Sequence, residues 1–401
     1  MRMKDYLTLA TLAVTMSLGA ANANADDINI GLVGGITGGA AAFAPEMLNA
    51  QRFALKQIND QGGILDGKKI VGIVADDGCT PQQGVDAATK LVNVSHIQGM
   101  VGPFCSGALL AVANSVTIPA GLTVISSGAT SPELTKLKDN DTVFRTVPSD
   151  LLQGAAVAHA LLEKGIKQAA VSYVNVDYGR GLADAFKRSY EADGGKITGY
   201  AAHEENKPSY RSDIAELAKG GAETLVIFDY GDSSGLTVLR EAIEDGSFKS
   251  YYGAESMRSA TILKTIGAEN LEGFTAIVPI GEKSESLDVF RKSFKEFGGD
   301  PTAVLTDASY DAAFLMALAI EKAKGDKEKI PESLRAVASG PGEPIRPGEW
   351  KKAKELIDAG KPIDYKGAAG DLNFDAGGDV SGLFGTFQAE EDGWKQVGEI
   401  R

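Results

Sequence analysis

The chain is short of the residues on which much of enzyme chemistry depends. Its 401 residues include two cysteines and three histidines, His96, His159 and His203, spaced unlike any metal-ligand cluster. No metal and no other cofactor is therefore expected. Basic residues are in deficit, with 40 Lys and Arg against 54 Asp and Glu and a formal charge of −14. Such an acidic surface repels phosphate backbones, so nucleic acid is not an expected partner. After the first 25 residues, no apolar run reaches the roughly 20 residues of a membrane-spanning helix.

Two motifs look chemical and fail on inspection. Gly31-Leu32-Val33-Gly34-Gly35-Ile36-Thr37-Gly38-Gly39 follows a strand pattern, yet it has neither G-x-G-x-x-G spacing nor a terminal Gly-Lys-Ser/Thr. It reads as a rim loop close to a small ligand. Gly231-Asp232-Ser233-Ser234-Gly235 matches G-x-S-x-G, but the last histidine, His203, lies upstream of it. A nucleophile elbow needs its histidine downstream, so a hydrolase is not expected. Without a base, a metal cluster or a nucleotide loop, the chain is not expected to be an enzyme.

What is present begins with the N-terminus. Met1-Arg2-Met3-Lys4, an apolar run from Tyr6 to about Ala20, and Ala21-Asn22-Ala23-Asn24-Ala25 describe a secretory signal over residues 1–25, with cleavage after Ala25 or Ala23. Loss of Arg2, Lys4 and Asp5 would remove one net positive charge and leave −15. No cysteine follows that could carry a lipid, so a soluble exported product is expected. In an oxidising compartment the two thiols should pair, and a Cys79–Cys105 bridge would contribute about 3 kcal/mol by chain entropy.

The mature length exceeds the ~250–300 residues of a single core, which predicts two domains. Short β-branched runs (Ile28 to Val33, Ile70 to Val74, Ile97 to Val101, Thr123 to Ser126) alternate with helical periodicity from Glu46 to Asp60, Gln82 to Asn93 and Ala108 to Val116. A second such series runs from Leu151 to Glu244 after the segment Val143 to Pro148. The fold class is therefore α/β, with two doubly wound parallel-sheet lobes around a cleft. A strand from Gly273 to Pro279, a helix from Tyr310 to Lys324 and a Gly- and Asp-rich segment from Gly367 to Gly385 complete the expected elements.

Ligands of open α/β sheets sit at the carboxyl ends of strands. Ser106 and Thr130 are expected to open the helices after the third and fourth strands, each offering a hydroxyl and a main-chain N–H to a carboxylate. Glu255, in Tyr252-Gly253-Ala254-Glu255-Ser256, is expected to accept from an ammonium, with the Gly128 carbonyl as a second acceptor. The bland alternatives are that the two hydroxyls only cap helices and that Glu255 is solvated.

Taken together, Asp76-Asp77-Gly78-Cys79, Gly102-Pro103-Phe104-Cys105-Ser106, Ile125-Ser126-Ser127-Gly128-Ala129-Thr130-Ser131-Pro132-Glu133-Leu134-Thr135, Asp177-Tyr178-Gly179-Arg180-Gly181-Leu182 and Ser309-Tyr310-Asp311-Ala312 resemble the leucine/isoleucine/valine-binding proteins. These are periplasmic receptors of ATP-driven amino-acid importers, with the type I periplasmic binding fold. The resemblance implies a carboxylate site at Ser106 and Thr130, an ammonium site at the Gly128 carbonyl and Glu255, and Phe104 and Ala129 beside them. It further implies a cleft tyrosine at Tyr178, an aromatic lid at Phe43, an apolar wall at Leu305, and Tyr230 across an alignment gap. Gly128 stands where alanine is frequent in the family. Chain crossings are implied near Pro148, Gly273 and Val380, giving one lobe of residues 26–148 and 274–379 and another of 149–273 and 380–401. The implied function is capture of an L-amino acid, aliphatic or hydrophobic, by a periplasmic monomer that delivers it to a membrane permease of an ABC transporter. Receptors for an amide, urea or an aromatic acid, and a sensor feeding a signalling partner, are the competing expectations.

Overall fold

The computed structural model describes residues 27–400, so the expected signal segment lies outside the described residues. The chain begins with strand β1 (Ile28–Gly34), helix α1 (Ala44–Asp60), β2 (Ile70–Asp76), α2 (Pro81–Asn93), β3 (Met100–Val101), α3 (Ser106–Val112), β4 (Val124–Ser126) and β5 (Val143–Arg145). These strands form a sheet in the order β2-β1-β3-β4-β5, with every pair parallel. β1 is buried along almost its whole length, as a strand covered by helices on both faces must be. Local chemistry sets where α2 starts: the Thr80 side chain accepts from the Gln83 N–H, and Pro81 occupies a position whose missing donor costs nothing.

The second body contains α4 (Asp150–Glu163), β6 (Gln168–Val174), α5 (Asp177–Ala192), β7 (Lys196–His203), α6 (Arg211–Ala218), β8 (Thr224–Phe228), α7 (Ser234–Asp245), β9 (Ser250–Gly253), α8 (Ala260–Ile266) and β10 (Phe274–Ile280). The chain then returns through α9 (Glu285–Phe297), α10 (Thr306–Lys322), α11 (Ile330–Ala338), β11 (Glu343–Ile345), α12 (Trp350–Asp358) and β12 (Ile363–Tyr365). It ends in the second sheet with β13 (Leu383–Glu390) and β14 (Gly393–Ile400). That sheet runs β14-β13-β10-β9-β8-β6-β7, parallel except where β13 pairs with β10 and β14. α10 is the spine of the first body: fifteen of its residues, Thr306 and Ala308 to Glu321, are buried. It lies along α1, where the Tyr310 hydroxyl donates to Gln57 Oε1 at 2.5 Å and its ring stands 5.7 Å from Phe53.

Three expectations need correction. The crossing expected near Gly273 places the strand from Gly273 to Pro279 in the first lobe, but β10 pairs parallel with β9, so the second crossing follows Ile280. A run of apolar residues does not say which sheet will accept it. No helix opens at Thr130. The Thr130 carbonyl accepts from buried Arg145 and from the Asp150 N–H, and the Ser131 carbonyl accepts from Arg145 and from the Leu134 N–H three residues on, so neither carbonyl takes the i+4 N–H of an α-helix; the Thr130 and Ser131 N–H groups donate to Ser106 Oγ. The Gly- and Asp-rich segment, expected as the last element, runs instead into the β13–β14 hairpin, which turns through Glu391 and Asp392. Cys79 and Cys105 form a disulfide, with Cα atoms 5.3 Å apart.

Candidate functional site

The carboxyl ends of both sheets face one another. From the first come Phe104 after β3, Ser106 at the head of α3 and Gly128 after β4; from the second come Tyr178 at the head of α5, Tyr230 after β8, and Glu255 with Ser256 after β9. Phe43, just before α1, and Val304 and Leu305, just before α10, close the ring, and together these residues line one cavity. Thr130 and Ala129 do not line it. Both are fully buried, and the Thr130 hydroxyl donates to Asp150 Oδ2 at 3.0 Å.

The cavity is contracted, with a free volume of about 10 Å³, room for about one water. Contacts between the bodies explain the contraction. A Cβ placed on Gly39 would fall 2.7 Å from the Tyr230 ring, and one on Gly181 would fall 2.8 Å from Pro132, so glycine permits the approach at both points. Tyr230 stacks on Tyr178 with ring centroids 5.0 Å apart. A ligand larger than water enters only when the bodies part.

Hydrogen bonds fix each wall. Ser106 Oγ accepts from the Thr130 and Ser131 N–H groups at 3.2 and 3.1 Å, which leaves its own O–H to donate. Gly128 sits against Phe104: an added Cβ would lie 3.0 Å from the Phe104 Cβ and carbonyl oxygen. Behind these groups Arg145, 2% exposed, is in a two-pronged ion pair with Asp379 at 2.6 and 2.8 Å. On the opposite wall the Tyr178 hydroxyl bonds that of Ser256 at 2.7 Å, and Ser256 donates to the Asp229 carbonyl at 2.6 Å.

Two buried carboxylates dominate the electrostatics. Glu255 accepts from Gln153 Nε2 at 2.5 Å, and Gln153 also donates to the Ile277 carbonyl. Burial pushes the Glu255 carboxyl above its ordinary range, against the opposing pull of Gln153 and Tyr178. Asp150 is pushed up further, first by burial and then by the charge of Glu255; its Oδ1 has no hydrogen-bond partner among the described residues. Neither carboxylate is paired with a lysine or arginine of the described residues, although Arg145 lies near enough to favour the charge of Asp150. Burial also pushes Tyr178 and Tyr230 well above the usual phenol range. The cavity is thus apolar over much of its wall and rich in negative potential at one end. It is suited to a small ligand carrying a positive group and an apolar part.

Sequence reasoning missed Ser256, Val304, Asp150 and Gln153. Ser256 adjoins Glu255 and follows the same strand, so the strand-end rule could have included it. Asp150 and Gln153 start α4 directly after a crossing, where no strand end marks them. A Ser–His–Asp row does exist, with Ser172 Oγ 2.9 Å from His203 Nδ1 and His203 Nε2 2.7 Å from Asp229 Oδ2. All three residues are buried inside the second body beneath Tyr230, and Asp229 also accepts from the Tyr230 N–H. The row supports the loop that carries Tyr230.

Comparison with known proteins agrees with this architecture. The periplasmic binding protein family is matched over residues 27–352. A leucine-, isoleucine-, valine-, threonine- and alanine-binding protein of Pseudomonas aeruginosa is 30% identical over 315 residues, covering 78% of this chain and 83% of that one. A leucine binding protein of Thermotoga maritima superposes with a TM-score of 0.79 at 20% identity, covering 93% and 98% of the two chains. A solute binding protein of R. palustris in complex with benzoate superposes at 0.75 with 18% identity, covering 93% and 96%. Two parallel-sheet bodies meeting at their strand ends, together with these matches, make the chain a member of the periplasmic binding protein family, among the leucine/isoleucine/valine-binding proteins.

Proposed function

We propose that this protein captures an L-amino acid with an apolar side chain between its two lobes and, closed around it, delivers it to the membrane permease of an ABC importer. The observation that carries this reading is Glu255, a buried carboxylate on the wall of a largely apolar cavity, with a second buried carboxylate, Asp150, close by outside the lining and neither of them in an ion pair with a lysine or arginine of the described residues. An uncompensated buried carboxylate is costly, and a ligand ammonium removes that cost. Glu255 and the Gly128 carbonyl accept from the ammonium. Ser106 donates its free hydroxyl hydrogen to the carboxylate. Thr130 acts behind Ser106, holding the wall and Asp150. Phe43, Phe104, Tyr178, Tyr230 and Leu305 surround the side chain.

In this mechanism the ligand bridges the lobes and shifts an open–closed equilibrium by binding the closed form better. The protein acts as a soluble periplasmic monomer and does no chemistry on its ligand. A thermal-shift screen tests the reading, using protein freed of carried-over ligand by unfolding and refolding. A ligand at 100 times its Kd adds about 2.7 kcal/mol of stability. Shifts with aliphatic or aromatic L-amino acids support the reading; shifts only with compounds lacking an amine refute it.

A further inference from the structure

A second, larger cavity lies on the hinge side of the molecule, with a volume of about 310 Å³ against about 10 Å³ for the site between the strand ends. All three crossings contribute to its wall, through residues 146–148, 279–282 and 380–383, and residues 369–373 complete it. Leu305 is common to both cavities. The lining is mixed: Val147, Pro148, Ile280 and Leu383 form an apolar strip, and Thr146, Asn373 and Ser381 are among its polar side chains. Three carboxylates stand on the wall: Glu282, Asp307 and Asp371.

The carboxylates differ in what satisfies them. Asp371 is paired with Lys366 at 3.0 Å. Asp307, in the first turn of α10, accepts from main-chain N–H groups, its neighbour Ala308 at 2.8 Å and Gly281 of the second crossing. Arg291 and Arg258 lie near enough to favour its charge without an ion pair, and burial, the larger influence, holds its carboxyl above the ordinary range. Glu282, on the same crossing, is exposed and makes no ion pair among the described residues. A chamber of mixed lining, with an apolar strip and two carboxylates that lack ion-pair partners, favours a ligand with a short hydrocarbon part and a positive head.

We propose that the hinge cavity is a second binding site, taking a small alkylammonium ion whose head is held by Asp307 and Glu282 and whose chain lies against Val147, Ile280 and Leu383. This goes beyond amino-acid capture. An occupant touches every segment that must rearrange when the lobes part, so it binds the open and closed forms unequally and couples to the first site through that difference.

The test is calorimetric titration of the mature protein, freed of ligand, with n-butylammonium, and with n-butanol as the neutral probe of equal shape. The proposal predicts saturable binding of the cation, retained in Glu255→Gln and weakened by at least about tenfold in Asp307→Asn, the size expected for losing a hydrogen bond to a charged group. Glu282→Gln, on an exposed side chain, should weaken it in the same direction and serves where Asp307→Asn does not fold. Absence of saturable binding overturns the proposal. So does binding that is lost in Glu255→Gln, which places the amine in the first site, or binding unchanged in both hinge variants.

Discussion

The two walls of the site between the lobes are built on different principles. The first wall is uncharged at its surface: Ser106, Gly128 and Phe104 present a hydroxyl, a main-chain carbonyl and a ring. Its charge is set one layer back, where the Arg145–Asp379 pair fixes the turn from Thr130 to Thr135. The second wall puts its charge at the surface, in Glu255, and fixes it with the neutral amide of Gln153. The comparison separates two tasks. A buried charge with its partner inside the protein makes a rigid wall, and a buried charge without one makes a wall that waits for a cation.

The contrast between the walls is open to direct experiment. The largest effect is expected at Arg145. Replacing it with methionine leaves Asp379 without its partner, and denaturant unfolding should show a loss of about 3–5 kcal/mol. A cost near zero would mean that the first wall does not depend on the pair. Glu255→Ala should instead leave the fold standing and weaken amino-acid binding by about 2–5 kcal/mol in titration calorimetry. Unchanged affinity would remove Glu255 from the ligand site.

Ser106→Ala strips the acceptor from two main-chain N–H groups and the donor from the ligand carboxylate. A loss of about 1–3 kcal/mol, in stability or in binding, is expected. Gly128→Ala presses a methyl against Phe104 and should cost about 1–3 kcal/mol of stability unless Phe104 shifts. A neutral result would show that the first wall yields where it is described as fixed.

The pH dependence of binding is the gentlest test. Burial raises the Glu255 carboxyl in the free protein. An adjacent ammonium lowers it, so binding releases a proton in the pH range between the lowered and the raised value. Affinity should therefore climb with pH and flatten once the free carboxyl is ionised. Titrations in two buffers of different ionisation enthalpy should show more proton release at pH 5 than at pH 8. Proton uptake at the lower pH would contradict the sign.

Much of this was legible in the sequence because strand ends are local features. Ser106, Gly128, Tyr178 and Glu255 each follow a recognisable strand within a few residues, and the fold brings them to one cavity. Other parts depend on long-range partners that periodicity does not encode. Thr130 lost its expected helix to Arg145, fifteen residues downstream, and to a serine 24 residues upstream. The sheet that β10 joins is decided by the free edge of β9, and Asp150 enters the site region through its contact with Thr130. The hinge cavity has no sequence signature, since it exists only where three separate crossings meet.

The central claim is that the second wall waits for an ammonium. Its most direct test is paired titration calorimetry, on ligand-free protein at neutral pH, of L-leucine and of 4-methylpentanoic acid, which has the same carbon frame without the amine. Leucine should bind saturably, and the acid should bind more weakly by about 30-fold or more, equivalent to about 2 kcal/mol. Equal or tighter binding of the acid would contradict the claim.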